Sequence, residues 1–308
     1  MNIVLVAGKR HGVECLQQLI GLGHRVLAVF GRGDDPHEQA DYFSQLKEVA
    51  GANGIPFYSQ QNLNTPRCQG LLRQLQPELM IVIKWRRMLG KETYSIPSKG
   101  CVILHDSLLP KYRGFAPANW AIINGESETG ATLFFVADSV DSGPIIGQRR
   151  IAISPEDTIR DVEEQLVDAY LWLLRENLPA LEDGTAEAIP QDETQASYGC
   201  PRTPEDGRID WARSAVEIHN FIRALTRPYP GAFAYLRGQK VFIWDADLVE
   251  AGDRYVGRIP GRVVQIDREV GVQVLTGGGI IRVKEVQLEG LSAQNATDLI
   301  SSIQVKLE

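Results

Sequence analysis

Among the side chains able to move a proton near neutral pH, His105 is distinguished by its position. It ends a short apolar run, residues 101–104, and opens the polar stretch Asp106-Ser107, after which Leu108-Leu109-Pro110-Lys111-Tyr112-Arg113-Gly114 reads as a loop. A second apolar run, residues 131–136, leads into a turn over 138–143 that carries Asp141. An imidazole and a carboxylate on loops after separate strands of one sheet suit proton transfer, because the carboxylate sets the tautomer and favours the charged ring. Either residue alone is equally well read as a strand cap or a turn former; the pair carries the chemistry. Open α/β sheets hold their ligands just beyond strand ends, which is where this cluster falls.

Other candidates have two readings each. The fork of Arg113 suits a phosphate or carboxylate, or an internal salt bridge. Trp85, in the basic run Lys84-Trp85-Arg86-Arg87, can stack on a flat ring or fill core. Lys84 is expected to snorkel from a strand end, although its charge could also serve the site. His11 is expected as a solvated turn histidine. Glu163, Glu164 and Asp168 are expected on the wet face of a helix, not around a metal.

These residues need a sheet to hold them. Residues 2–7 form a continuous apolar strand, followed by a helix over 13–22 that stops at Gly23, and by a strand over 25–30. The first turn lacks GxGxxG, which argues against a nicotinamide or flavin dinucleotide site. A loop over 31–35, a helix over 36–50, a strand over 54–58, a helix over 66–75 and a strand over 78–83 follow. This alternation predicts a mostly parallel sheet with helices on both faces. A strand over 147–153 and a helix over 159–181 complete it, with Val162, Leu166, Ala169, Leu173 and Leu174 at helical spacing. Residues 181–194, rich in acid, Gly and Ala, read as a boundary. Beyond them a helix over 214–224 and several short strands with Gly-rich turns suggest a small open barrel or sandwich. The expected division is 1–185, a linker over 186–208, and 209–308.

At 308 residues the chain has room for two domains. A net charge of −7 argues against a general polyanion binder. Cys15, Cys68, Cys101 and Cys200 are scattered without a CxxC, which predicts reduced thiols in a cytoplasmic protein. The first residues read as a strand instead of a signal peptide, and no apolar run approaches the ~20 residues of a membrane span.

His105-Asp106-Ser107-Leu108-Leu109-Pro110, Tyr112-Arg113-Gly114 and Asp141-Ser142-Gly143 are together similar to the signature of folate-dependent formyltransferases. That family includes amino-sugar N-formyltransferases, methionyl-tRNA formyltransferase and the hydrolase domain of formyltetrahydrofolate dehydrogenase. Ile209-Asp210-Trp211, Glu217-Ile218-His219-Asn220, Arg223-Ala224 and Pro230-Gly231-Ala232 resemble its link into a C-terminal barrel. The order of elements most resembles the amino-arabinose formyltransferase domain.

The resemblance implies an α/β fold: a Rossmann-like domain followed by a smaller OB-like domain, which offers an interface for a homodimer. It implies catalysis by His105 and Asp141, with Ile103 standing where the family carries Asn. It assigns Trp85, Arg86, Arg87, Met88 and Leu89 to the pterin pocket, largely through backbone groups, with Asp138 and Ser139 on the folate side. Tyr112 and Arg113 fall on the acceptor side. The co-substrate is 10-formyltetrahydrofolate, no metal is expected, and the acceptor is an amine, with a nucleotide-linked amino sugar favoured. The acidic pair Asp34-Asp35 stands where tRNA-modifying members tend to carry basic residues, so a nucleic-acid acceptor is disfavoured. Ile103 keeps two alternatives open: a formyltetrahydrofolate hydrolase, whose family domain also has Ile there, and an inactive folate- or nucleotide-binding homologue.

Overall fold

A computed structural model describes residues 1–33, 41–249 and 255–308. The chain divides into two compact units: Met1–Pro117, Glu128–Ala152 and Glu163–Cys200 form one, and Ala118–Ser127, Ile153–Val162 and Pro201–Glu308 the other. In chain order the elements are β1 (Asn2–Ala7), α1 (Lys9–Gly21), β2 (Arg25–Gly31), α2 (Tyr42–Ala52), β3 (Phe57–Ser59), α3 (Pro66–Leu75), β4 (Leu79–Ile83), α4 (Lys91–Tyr94) and β5 (Cys101–His105). Then come β6 (Arg113–Gly114), α5 (Pro117–Ile123), β7 (Glu128–Phe135), β8 (Ile145–Ala152), α6 (Ile159–Asp183) and β9 (Tyr198–Gly199). The second unit adds α7 (Ala215–Leu225), β10 (Ala232–Leu236), β11 (Gln239–Leu248), β12 (Val263–Asp267), β13 (Gly271–Leu275) and β14 (Ile280–Leu288).

The first unit is built on a seven-stranded sheet of order β3-β2-β1-β4-β5-β7-β8. Its first five strands are parallel, while β7 pairs antiparallel with both β5 and β8. All five residues of β4 and five of the six in β1 are buried, as expected for strands covered on both faces. Strand order reverses between β1 and β4, so the crevice for a ligand lies at their carboxyl ends, beside β5. Helix α3 begins where its residues dictate: Thr65 Oγ1 accepts from Cys68 N and Pro66 occupies the first turn. The expected 36–50 helix is found as α2, but its start and Asp34-Asp35 fall outside the described residues.

The second unit carries an antiparallel sheet of order β10-β11-β14-β13-β12, with a short extra strand on β14. Helix α7 opens with a capping box: Ser214 Oγ accepts from Glu217 N and Glu217 Oε2 from Ser214 N. Its Ile218 and Ile222 join Val241, Ile243, Val272, Val283 and Val286 in one apolar cluster. Among the described residues no helix is long and apolar enough to cross a membrane.

Candidate active site

His105 is the last residue of β5, and Asp141 lies in the loop between β7 and β8. Sequence reasoning expects them on loops after separate strands of one sheet, which is where they lie. In the antiparallel register His105 pairs with Thr132 and Val102 with Phe135, so the Asp141 loop leaves at the far end of β5. That is three residues back, about 10 Å along a strand. The loop is pinched at its base, where Phe135 N donates to Pro144 O at 3.0 Å. A Cβ on Gly143 would stand 1.7 Å from Phe135 O, so only glycine fits there. The loop then folds back over the sheet and brings Asp141 Oδ2 to 3.6 Å from His105 Nδ1. Asp141 adopts φ +47, a conformation disfavoured for a non-glycine residue.

The Tyr112-Arg113-Gly114 turn holds both members of the pair. His105 Nε2 lies 2.9 Å from Tyr112 O, and a carbonyl can only accept. The ring proton is therefore on Nε2, and Nδ1, facing Asp141, is the atom free to take another. Gly114 N donates to Asp141 Oδ2 at 2.7 Å, from a residue with φ +89. Arg113 between them is fully buried, and its donors are engaged within the protein. Nε and Nη2 reach Gln191 Oε1 at 3.1 and 2.7 Å, while Nη1 and Nη2 reach Glu193 at 2.8 and 2.7 Å. Of the two roles left open for Arg113 in the sequence, this geometry supplies the partners of the internal salt bridge.

Gln191, Glu193 and Ser197 were not singled out in the sequence, because residues 186–208 read as a linker. They carry structure instead. Ile189 and Ile145 exchange backbone hydrogen bonds of 2.8 Å, β9 pairs with β6, and Ser197 bonds to Pro110, Tyr112 and Arg113. Only a contact between residues some eighty positions apart reveals this, and nothing local signals it.

Lys84 corrects the expectation of a snorkelling side chain. It adopts φ +53 at the end of β4, which turns its side chain inward to an ion pair with Asp106 Oδ2. Asp106 Oδ1 accepts from Tyr170 OH at 2.6 Å. Burial pushes the Asp106 carboxyl up, but the Lys84 ammonium and these hydrogen bonds outweigh it and hold it below the usual carboxylate range. His11 is likewise not solvated: it is 2 % exposed and meets the Tyr170 ring edge-on at 5.0 Å. Burial first, then the Lys84 charge, lowers its pKa well below the ordinary histidine value.

Trp85 is half-buried against the apolar cluster behind β1 and β4, and its indole Nε1 has no hydrogen-bond partner among the described residues. Arg86, Arg87 and Met88 are exposed and Leu89 is buried. Asn64, which sequence reasoning missed, fixes this loop by donating to Met88 O at 2.9 Å and accepting from Gly90 N at 2.8 Å. A flat ring, an unpaired indole N–H and an anchored backbone fit a pterin. Asp138 accepts from Tyr94 OH at 2.5 Å, and Ser139 O accepts from Ser142 Oγ at 3.1 Å. Ile103 lies in β5 between Val82 and Phe134, where its side chain offers no donor. Among the described residues no group of three His, Cys, Asp or Glu could hold a metal ion.

Residues 1–178 match the family described as formyl transferase, and residues 202–304 match its C-terminal domain. The chain is 32% identical over 302 residues to methionyl-tRNA formyltransferase of Alkaliphilus oremlandii, covering 97% of this chain and 96% of that one. Two solved structures share the fold. An N-formyltransferase from Helicobacter canadensis, in complex with folinic acid and dTDP-3-aminofucose, has a TM-score of 0.69 at 21% identity, covering 92% of this chain and 99% of its own. WlaRD, a sugar 3N-formyl transferase in the presence of dTDP and 5-N-formyl-THF, has a TM-score of 0.68 at 19% identity, covering 95% and 99%.

Proposed function

The chain belongs to the formyltransferase family, and from that premise we propose that it moves a formyl group from 10-formyltetrahydrofolate to the amine of a nucleotide-linked sugar. The observation that carries the reaction is the 3.6 Å approach of Asp141 Oδ2 to His105 Nδ1, with Nε2 anchored on Tyr112 O. As the acceptor amine attacks the formyl carbon, Nδ1 takes its proton and the Asp141 carboxylate stabilises the imidazolium. The same proton then passes to N10 as the folate nitrogen leaves. The amine loses one proton, N10 gains one, and the C–N bond broken is replaced by the one formed.

We assign the folate side to Trp85–Leu89, together with Asp138 and Ser139. Exposed Arg87 offers a cation for the folate's glutamate carboxylates. The acceptor reading draws on the net charge of −7 and the acidic Asp34-Asp35 pair, both poor for a polynucleotide. It also draws on the dTDP-linked amino sugar bound by a protein of like fold. A second reading, the amine of methionyl-tRNA, is favoured by the relative that is 32% identical over nearly the whole chain.

The test is folate release by purified protein given 10-formyltetrahydrofolate, alone, with a panel of nucleotide amino sugars, or with aminoacylated initiator tRNA. Release that depends on an amino sugar is expected. Dependence on tRNA would replace the acceptor, formate release without acceptor would make the protein a hydrolase, and no release would leave a binding homologue.

A further inference from the structure

The loop that carries Asp141 starts at the wrong end of β5 and reaches His105 only by folding back across the sheet. Loops are the mobile parts of a fold, and a proton-transfer pair tolerates little displacement. Something must hold this loop down. Asp141 itself sits in a disfavoured backbone conformation, which persists only where the surrounding structure fixes it.

Residues 189–199 supply the hold. They begin on the loop's base, through the paired Ile189–Ile145 bonds, and end beside the loop that follows His105, through β9 on β6. Near their start, Gln191 Nε2 donates to Asp141 O at 2.8 Å and to Gly143 O at 2.7 Å. Its Oε1 accepts twice from Arg113, the residue between the carbonyl that binds His105 and the N–H that binds Asp141. One amide thus ties the two loops of the proton-transfer pair to each other. Glu193 holds the Nη1–Nη2 edge of the same guanidinium.

We propose that residues 189–199 are a brace and that Gln191 is a positioning residue for Asp141; this rests on His105 and Asp141 being the proton-transfer pair. The amide is suited to the task because it is both donor and acceptor. A carboxylate at 191 would keep Arg113 but would turn an oxygen toward two carbonyls, leaving the Asp141 loop unheld.

Gln191→Glu tests this, with Gln191→Met as a neutral variant of like length that removes both sets of bonds. Both should lower kcat by about 10-fold or more while the folate KM stays within about 2-fold, and the pH–rate profile should move with kcat. In an Asp141→Asn background the same changes should cost less than about 2-fold, because the residue being positioned is gone. Wild-type kcat and pH profile in both variants, with only the melting temperature lowered, would overturn the brace while leaving the pair intact. Wild-type turnover by Asp141→Asn itself would overturn the pair, and the brace with it.

Discussion

His105 works through one nitrogen. With Nε2 held by Tyr112 O, only Nδ1 is free to take a proton, and it faces the Asp141 carboxylate. His105→Asn should lower turnover by about 10²–10⁴-fold, the usual contribution of a general acid–base group, with the melting temperature little changed. Near wild-type turnover would remove the imidazole from the reaction. Ile103 raises a different question, because an amide there could donate to the developing oxyanion. Its partly buried side chain packs against the apolar cluster behind β4, where an amide would replace apolar contacts with polar ones. Ile103→Asn is therefore expected to lower stability by about 1–3 kcal/mol with no gain in rate. A higher rate at unchanged melting temperature would show instead that the amide reaches the reacting carbonyl, an effect worth up to about 2.7–4 kcal/mol.

Between elements, the ends of β4 and β5 and the helices α1 and α6 meet in the Lys84, Asp106, Tyr170 and His11 cluster. Two pH windows follow. The folded-state pKa of His11 is depressed, so its stabilising contribution is present above the unfolded histidine value near ~6.5 and is lost progressively as pH falls below it. That of Asp106 is depressed too, so its contribution is present above the unfolded aspartate value near ~4 and is lost at more acid pH. Melting temperatures should show His11→Phe flattening the slope below about pH 6.5, and Asp106→Asn flattening the fall below about pH 4. At neutral pH Asp106→Asn should also cost about 3–5 kcal/mol, because it removes the charged partner of Lys84 in a buried ion pair.

Much of this scale was legible beforehand. The bounds of α3 and α7 follow from Thr65-Pro66 and from Ser214 and Glu217, whose capping is local chemistry. The apolar runs of β1, β4 and β5 gave the sheet, and the His-Asp-Ser and Asp-Ser-Gly stretches gave the pair. What was not legible depends on register and on distant partners. The antiparallel pairing of β7 decides from which end the Asp141 loop departs. The inward turn of Lys84 needs Asp106 to receive it, and the brace needs Arg113, seventy-eight positions from Gln191. Composition made residues 181–194 look like a boundary, since acid, Gly and Ala say nothing about a buried arginine elsewhere.

Across the whole molecule the chain enters the second unit three times, at Ala118, Ile153 and Pro201. The two early visits are anchored by later residues. Asn119 Nδ2 donates to Ala224 O at 2.8 Å, and Arg223 Nη1 donates to Asp157 O at 2.5 Å and Ser154 O at 3.2 Å. A fragment ending at Cys200 therefore keeps segments 118–127 and 153–162 without α7. It is expected to lose cooperative thermal unfolding and to bind a hydrophobic dye. A sharp transition near that of the full chain would show that the first unit stands alone.

The same threading sets an order of events during synthesis. When Asn119 emerges from the ribosome, the helix that will receive its amide is still about a hundred residues from being made, a delay of roughly 5–20 s at ordinary elongation rates. The sheet around His105 can assemble in that interval, but segments 118–127 and 153–162 cannot settle until α7 arrives. A nascent chain of this protein therefore carries two unsettled segments of its second unit through the interval in which the sheet of its first unit forms.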